Sequence, residues 1–123
     1  RLLLAVATQY NPAALAQRLS ATGTKIELLK VTDWKDAVGK MTQELKNTRT
    51  SGVILTDRPA AVACHANRDG AIRAAVASDL RGVKEAAQSL DANLLVVDPA
   101  MHSLHMLEKL LQEYAKSSQQ LSL

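Results

Sequence analysis

Five short apolar runs, separated by segments with helical periodicity, constrain the fold of this 123-residue chain more than any other feature. Three of the runs are nearly continuous Leu, Val, Ile and Ala, which is typical of strands buried on both faces of a parallel sheet. The runs span residues 2–7, 25–30, 52–56, 72–77 and 93–97. The run 25–30 contains more polar residues than the others, so we expect it at an edge of the sheet.

The segments between these runs have the signals of helix ends. All but the segment that begins at Pro59 have a residue that can accept a hydrogen bond from the free backbone N–H groups of a first turn. The expected caps are Asn11, Asp33, Ser78 and Ser103, and Pro12 and Pro59 are placed to begin helices. Gly23 fits the end of the first helix. The sequence therefore predicts five strand–helix units.

Five such units with right-handed crossovers give a three-layer αβα sandwich around a five-stranded, parallel, Rossmann-like sheet. No repeat or linker interrupts the pattern, so we expect one α/β domain over residues 1–117, followed by a polar C-terminal tail over 118–123. The chain begins with Arg1 rather than Met, which is consistent with processing or with a piece of a longer protein.

Composition disfavours several classes of function. One Trp, two Tyr and no Phe leave no aromatic platform for stacking bases, and the 15 basic residues are scattered, so we expect no nucleic-acid partner. The apolar runs are too short to span a membrane. A single cysteine, Cys64, allows no internal disulfide. We therefore expect a cytoplasmic protein without a membrane partner.

Ligands of open α/β sheets bind beyond the carboxyl ends of the strands, which names the candidate loops. These are Thr8-Gln9-Tyr10-Asn11, Thr56-Asp57-Arg58, Ser78-Asp79 and Asp98-Pro99. The candidate ligand-binding residues are Thr8, Gln9, Tyr10, Asp57 and Arg58. The Arg58 guanidinium could hold a phosphate or carboxylate; alternatively, it pairs with Asp57 or Asp98 at the surface. Asp57 is a weak candidate for a catalytic base, and capping or ion pairing is its alternative role.

The thiol and imidazole groups give weaker signals. Cys64 lies within an Ala-rich helical segment, where a buried structural cysteine is the expected case. The spacing of His102, His105 and Glu108 would place three metal ligands on adjoining helical turns, but it is common by chance, so we expect no metal. We expect no other cofactor.

Three segments, LLLAVATQYNPAALAQRL, HANRDGAIRAAVASD and DANLLVV, resemble the type B ribose-5-phosphate isomerases and the related galactose-6-phosphate isomerases. The matching positions include Asn67, Gly70, Arg73, Asp91 and Asn93. The resemblance covers nearly the whole chain and implies aldose–ketose isomerisation of a sugar phosphate. It also implies a homodimer whose active site is shared between the subunits.

The same resemblance implies reactive side chains that this sequence does not have. Relatives carry an Asp-His pair after the first strand and a catalytic cysteine in a Cys-Gly-Thr-Gly loop after the third. They also carry a His-Asn pair before the fifth strand, a Gly-Gly-Arg after it and phosphate-binding arginines near the C-terminus. The residues at the first four places are Gln9-Tyr10, Thr56-Asp57, Ser89-Leu90 and Asp98-Pro99-Ala100, and YAKSSQQLSL has no matching arginines.

Isomerisation needs a base that moves a proton between adjacent carbons and donors that stabilise the enediolate. We therefore expect a degenerate member of this family without isomerase activity. It would bind a small phosphorylated sugar or another anion, or serve as an interaction domain. The alternative is an active isomerase with an altered site, in which Asp57 is the base and Arg58 holds the phosphate.

Overall fold

Strands and helices alternate along the chain in the computed structural model, which describes residues 2–47 and 50–121. The strands are β1 (Leu2–Ala7), β2 (Ile26–Leu29), β3 (Ser51–Thr56), β4 (Ala74–Val76) and β5 (Leu94–Val97). The helices are α1 (Ala13–Ala21), α2 (Trp34–Asn47), α3 (Pro59–Ala66), α4 (Leu80–Gln88) and α5 (Leu104–Leu121). A 3₁₀ turn, Pro99–Met101, joins β5 to α5.

All five strands run parallel, in the order β2-β1-β3-β5-β4. The predicted α/β sandwich is therefore confirmed, and the mixed strand β2 lies at an edge as expected. The other edge strand, β4, is shorter than predicted. Residues 72 and 73 belong instead to a turn, in which Ile72 N–H donates to Asp69 O at 3.0 Å.

Alternate residues of the central strands pack into separate cores on the two sheet faces. From β1, Leu2 and Leu4 join α1, α4 and α5 in one core, whereas Leu3 and Ala5 join α2 and α3 in the other. Both faces are thus covered, which explains why the central strands are apolar without alternation. None of the described helices is both long and apolar enough to cross a membrane.

Four of the predicted helix ends are confirmed, including Pro59 as the first residue of α3, and two differ by one residue. Asp33 and Ser103 cap α2 and α5 by accepting from backbone N–H groups three residues later, and Gly23 ends α1 at φ +88°. Asp79, not Ser78, caps α4, since its Oδ1 accepts from Gly82 N–H at 2.6 Å. Pro12 is the N-cap of α1, while Asn11 Oδ1 accepts from Ala13 N–H.

Helix α5 continues to Leu121, across most of the segment assigned above to a polar tail. Within that segment, Ser118 is half-buried, and the preceding Ser117 is buried and donates its hydroxyl to Glu113 Oε2 at 2.7 Å. Residues 122 and 123, which were also assigned to the tail, lie outside the described residues.

The side chains of two asparagines form hydrogen bonds that connect neighbouring segments at the amino edge of the sheet, where the strands begin. Asn67 donates to Ala74 O at 2.9 Å and accepts from Ala74 N–H at 2.7 Å, so its amide pairs with β4 as a neighbouring strand would. Asn93 accepts from Arg73 N–H at 2.8 Å and donates to Ala71 O at 3.0 Å. We call Asn67, Asn93 and the residues they bind the amino-edge clamp.

A buried tyrosine links α5 to the same edge. Tyr114 is fully buried, and its hydroxyl donates to Ala92 O at 2.8 Å. Burial raises the pKa of Tyr114 well above its ordinary value, so the hydroxyl stays protonated and serves as a permanent donor.

Replacing Tyr114 with phenylalanine is expected to lower the free energy of unfolding by about 1–2 kcal/mol, because Ala92 O would lose its partner inside the protein. Urea denaturation followed by circular dichroism measures the change. Tyr10→Phe is the control, because Tyr10 packs against the same core from a half-buried position. Equal stabilities of the two variants would contradict the assigned role of Tyr114.

Candidate functional site

The strand register places the ends of β1, β3 and β5 side by side at the carboxyl edge. Ala7 pairs with Thr56, and Leu55 pairs with Val97. Because neighbouring parallel strands lie about 4.8 Å apart, the residues that follow these three strands begin adjacent loops. The register therefore brings Thr8, Asp57 and Asp98 to one edge.

The connections that follow β1 and β3 lead to opposite faces of the sheet. Helix α1 packs on one face of the sheet, with α4 and α5, whereas α3 packs on the other face with α2. A crevice opens where adjacent connections diverge in this way, and it is the usual ligand site of an open α/β sheet. We call the place between the loops after β1 and β3 the β1/β3 crevice.

The loop after β1 offers polar groups on a partly anchored backbone. Thr8 O accepts from Tyr10 N–H at 2.9 Å, which makes a tight turn. Gln9 is exposed, while Thr8 and Tyr10 are half-buried and Tyr10 packs against the core. Burial raises the pKa of the Tyr10 hydroxyl, which keeps it protonated at neutral pH. This loop can offer hydrogen bonds to a ligand but no charge.

The loop after β3 carries the charged candidates. Thr56 is fully buried, and its Oγ1 accepts from Arg58 N–H at 3.1 Å, which fixes the start of the turn. Asp57 and Arg58 are both exposed. Within the described residues, no ion pair joins Arg58 to Asp57 or Asp98, which leaves the guanidinium available to a ligand.

The helix N-termini at this edge differ in how their free N–H groups are bound. Asp79 Oδ1 occupies the start of α4, and Asp98 Oδ1 accepts from Ala100 N–H at 3.0 Å at the start of the 3₁₀ turn. The N-cap of α3 is Arg58, and no side chain accepts a hydrogen bond there. The positive end of the α3 dipole, next to the Arg58 guanidinium, therefore favours an anion.

Cys64 is exposed, so the expectation that it is buried is wrong. Helix α3 directs Val62, Ala63 and Ala66 into the core, which turns the Cys64 position outward. It lies six positions after Arg58, which corresponds to about 9 Å along a helix at 1.5 Å per residue. The only thiol of the chain therefore lies away from the loop after β3.

One of the histidines near the start of α5, His102, lies at the same edge of the sheet as the candidate site. His102 is half-buried and follows the 3₁₀ turn after β5, at the carboxyl edge. The sequence indicates it only as a metal ligand, and its place in the connection that follows β5 is the signal that could have located it at this edge. Among the described residues no group of three His, Cys, Asp or Glu side chains could hold a metal ion. Glu108 instead pairs with Arg18 at 3.6 Å.

The positions that carry the sequence resemblance lie at the opposite edge. Asn67, Arg73 and Asn93 belong to the amino-edge clamp, and Arg73 also donates from Nε to Asp91 O at 2.7 Å. Ser89 and Leu90 follow α4 at this same edge, so within one chain they do not reach the β1/β3 crevice. The positions named for the resemblance thus lie in the scaffold, whereas the residues after β1, β3 and β5, which differ from those that the resemblance implies, surround the candidate site.

Comparisons with known proteins agree with this fold. The profile of a family described as Ribose/Galactose Isomerase matches residues 12–122. Among curated proteins, none is similar enough in sequence to match.

Solved structures of several ribose-5-phosphate isomerases B share the architecture. The Thermotoga maritima protein has a TM-score of 0.81 at 19% identity, covering 92% of this chain and 83% of its own. The Anaplasma phagocytophilum protein gives 0.78 at 21% identity, with 94% and 84% covered. The Mycoplasma genitalium protein, solved with bound ribulose-5-phosphate, gives 0.76 at 14% identity, with 98% and 92% covered.

Proposed function

Because the chain belongs to the ribose/galactose isomerase family, we propose that it binds a small phosphorylated sugar or a similar anion in the β1/β3 crevice without isomerising it. The observation that carries the proposal is the position of Cys64. Its thiol is exposed on α3 about 9 Å beyond Arg58 along the helix axis. The resemblance implies a thiolate base in the loop after β3, and that loop here contains Asp57 and Arg58.

Two features of the loop after β3 support binding of an anion, whether or not the chain catalyses a reaction. The N-terminus of α3 has no side-chain acceptor, and the exposed Arg58 lies beside it. A phosphate there would accept from Ala60 and Ala61 N–H and from the guanidinium. Gln9, Tyr10 and Asp57 could then bind the hydroxyls of a sugar. A ribulose phosphate is bound by the Mycoplasma genitalium relative, which has the same fold.

Titration with ribose 5-phosphate, followed by ¹H–¹⁵N correlation spectra, tests this binding. We expect shifts at the amides of Ala60, Ala61 and residues 8–10. Arg58→Gln should weaken binding about tenfold, because a charge-assisted hydrogen bond contributes about 1.5–3 kcal/mol. Arg81→Gln, which changes an exposed arginine of α4, is the matched control and should bind like the parent chain. No shift at these amides would contradict the proposal.

The alternative is an active isomerase in which Asp57 is the base and Arg58 holds the phosphate. Asp57 is exposed and lies at the end of β3, where a bound sugar would contact it. This alternative requires measurable turnover that Asp57→Asn abolishes. His102→Gln tests in the same way whether the imidazole after β5 takes part.

A role as an interaction domain rests on exposed apolar side chains. Val76 is 47% exposed, Leu80 37% and Met101 73%, and all three lie near the carboxyl ends of β4 and β5.

We propose that the protein is a homodimer in the cytoplasm, in line with the resemblance and with its single cysteine. Sedimentation or light scattering of the purified chain measures its oligomeric state.

A further inference from the structure

The outer surface formed by α1, α5 and α4 carries more basic than acidic residues. Helix α5 lies between α1 and α4 on one face of the sheet, since it contacts both. The three helices contain five Lys or Arg residues and three glutamates. The basic residues are Arg18, Arg81, Lys84, Lys109 and Lys116, and the glutamates are Glu85, Glu108 and Glu113. We call this surface the α5 face.

Two ion pairs of the α5 face expose the cation and cover the carboxylate. Arg18 Nη1 lies 3.6 Å from Glu108 Oε1, and the side chain of Arg18 is 48% exposed against 14% for Glu108. Lys84 Nζ lies 3.7 Å from Glu113 Oε1, with 56% and 19% of the side chains exposed. Both carboxylates are therefore largely removed from solvent, and each pair presents mainly its cation to the outside.

The ridge of α5 that points away from the core adds cations of its own. His105, Lys109 and Lys116 are exposed, and they fall within about 40° of one another around the helix, because each residue turns it by about 100°. Within the described residues neither lysine makes an ion pair. Of the three glutamates of the α5 face only Glu85 is exposed, so cations dominate the surface that a partner would contact.

From this arrangement we propose that the α5 face binds an acidic segment of a partner protein. Lys109 and Lys116 lie about 10 Å apart along the ridge, at 1.5 Å per residue. Arg18 and Lys84 lie on either side of it, since neighbouring helices are about 8–10 Å apart. The Asp or Glu side chains of the partner pair with these four cations. No two acidic residues of this sequence are closer than three positions, so it contains no such segment itself.

Two other polyanions fit the α5 face less well. A nucleic acid bound without sequence preference stacks its bases on aromatic side chains, and the only aromatic residue of the three helices, Tyr114, is fully buried. An anionic membrane binds helices that lay an apolar face into the lipid. The apolar face of α5, which includes Leu107, Leu110 and Leu111, is already buried in the core.

Poly-L-glutamate is the probe that tests this surface, in a titration followed by ¹H–¹⁵N correlation spectra. The ionic strength is about 0.02 M, at which charges are only weakly screened. We expect saturable shifts at the amides of residues 105–116 and of Arg18 and Lys84. Poly-deoxythymidine of the same length and vesicles of phosphatidylcholine with phosphatidylserine represent the other two polyanions. Each should bind at least tenfold more weakly than poly-L-glutamate.

A double variant and a matched control separate the α5 face from a general effect of net charge. Lys109→Gln/Lys116→Gln removes both lysines of the ridge and should weaken poly-L-glutamate binding about tenfold, because two exposed ion pairs are lost. Lys30→Gln/Lys35→Gln removes the same charge from exposed positions beside and on α2, which packs on the other face of the sheet. The control should bind within about twofold of the parent chain, since charges this far apart are largely screened at higher ionic strength and make no direct contact.

Equal losses in the two double variants would overturn the proposal, because binding would then follow net charge alone. Parent-like binding by Lys109→Gln/Lys116→Gln would also overturn it, as would tighter binding of the oligonucleotide or the vesicles. Shifts confined to residues 58–61 would overturn it too, although they would support the anion site of the proposed function. Failure of ribose 5-phosphate to bind the crevice would leave this result unaffected. The two proposals can therefore fail separately.

Discussion

Replacing Asn93 with alanine is expected to lower the free energy of unfolding by about 2 kcal/mol, because two hydrogen bonds of about 1 kcal/mol each are lost. Asn93 accepts from Arg73 N–H and donates to Ala71 O, and it directly precedes β5. It therefore fixes the turn that leads into β4 against the start of the neighbouring strand. Urea denaturation measures the change as a lower midpoint with an unchanged slope.

The amino-edge clamp contains a second asparagine, Asn67, which allows a second test of the same prediction. Asn67→Ala removes the two bonds to Ala74 and should also destabilise the fold, by about 1–2 kcal/mol. Both residues hold the same short segment, 71–74, so the effects of the two substitutions should not add fully. Once the hydrogen bonds of one asparagine are lost, β4 frays and the hydrogen bonds of the other contribute less.

Gln17→Ala is the control for both substitutions, since it removes an exposed side-chain amide from α1 without touching the clamp. Its stability should stay within about 0.5 kcal/mol of the parent chain. If Asn93→Ala were as stable as Gln17→Ala, the residues that carry the family resemblance would have no structural role. The division between a retained scaffold and a changed site would then lose its support.

The fold could be predicted from the sequence because its signals are local. Continuous apolar runs such as residues 52–56 indicate strands covered on both faces, and β3 is indeed buried between two cores. Asp33 and Ser103 cap helices from positions visible in the sequence. The strand order was not visible, because it depends on which faces α1 and α3 cover.

The predictions were wrong where two neighbouring residues are equally suited to the same role, or where burial depends on which face of a helix packs against the core. Ser78 and Asp79 both suit an N-cap, and only the backbone turn after β4 selects Asp79. Cys64 is of a residue type that is commonly buried, yet α3 uses Val62, Ala63 and Ala66 for its buried face. The start of β4 was predicted two residues too early, because Ile72 is buried in a turn rather than in the sheet.

The candidate site could be located from the sequence but not described. The rule that ligands bind beyond the strand ends named Thr8, Asp57 and Asp98, and the register places them at one edge. Whether Arg58 pairs with an acidic neighbour depends on side-chain geometry, which no sequence pattern gives.

The second prediction with a large expected effect concerns the rate of sugar isomerisation. A positioned general base typically contributes about 10²–10⁴-fold to a rate, so a chain without one should be slower than its active relatives by at least that factor. In this chain the thiol is on the outer side of α3, and the residues at the end of β3 are Asp57 and Arg58. Because the sequence also lacks the other reactive side chains that the resemblance implies, we expect that ribose 5-phosphate is not converted above the rate without protein.

Incubation of the purified, metal-free chain with ribose 5-phosphate, with ketose formation as the readout, tests this account most directly. Allose 6-phosphate and galactose 6-phosphate are run alongside, and the Thermotoga maritima ribose-5-phosphate isomerase B is the positive control. The account predicts that the chain forms no ketose from any of the three sugars while the control protein converts ribose 5-phosphate. Rapid ketose formation by the chain would contradict it, and loss of that activity in Asp57→Asn would establish the altered-site isomerase instead.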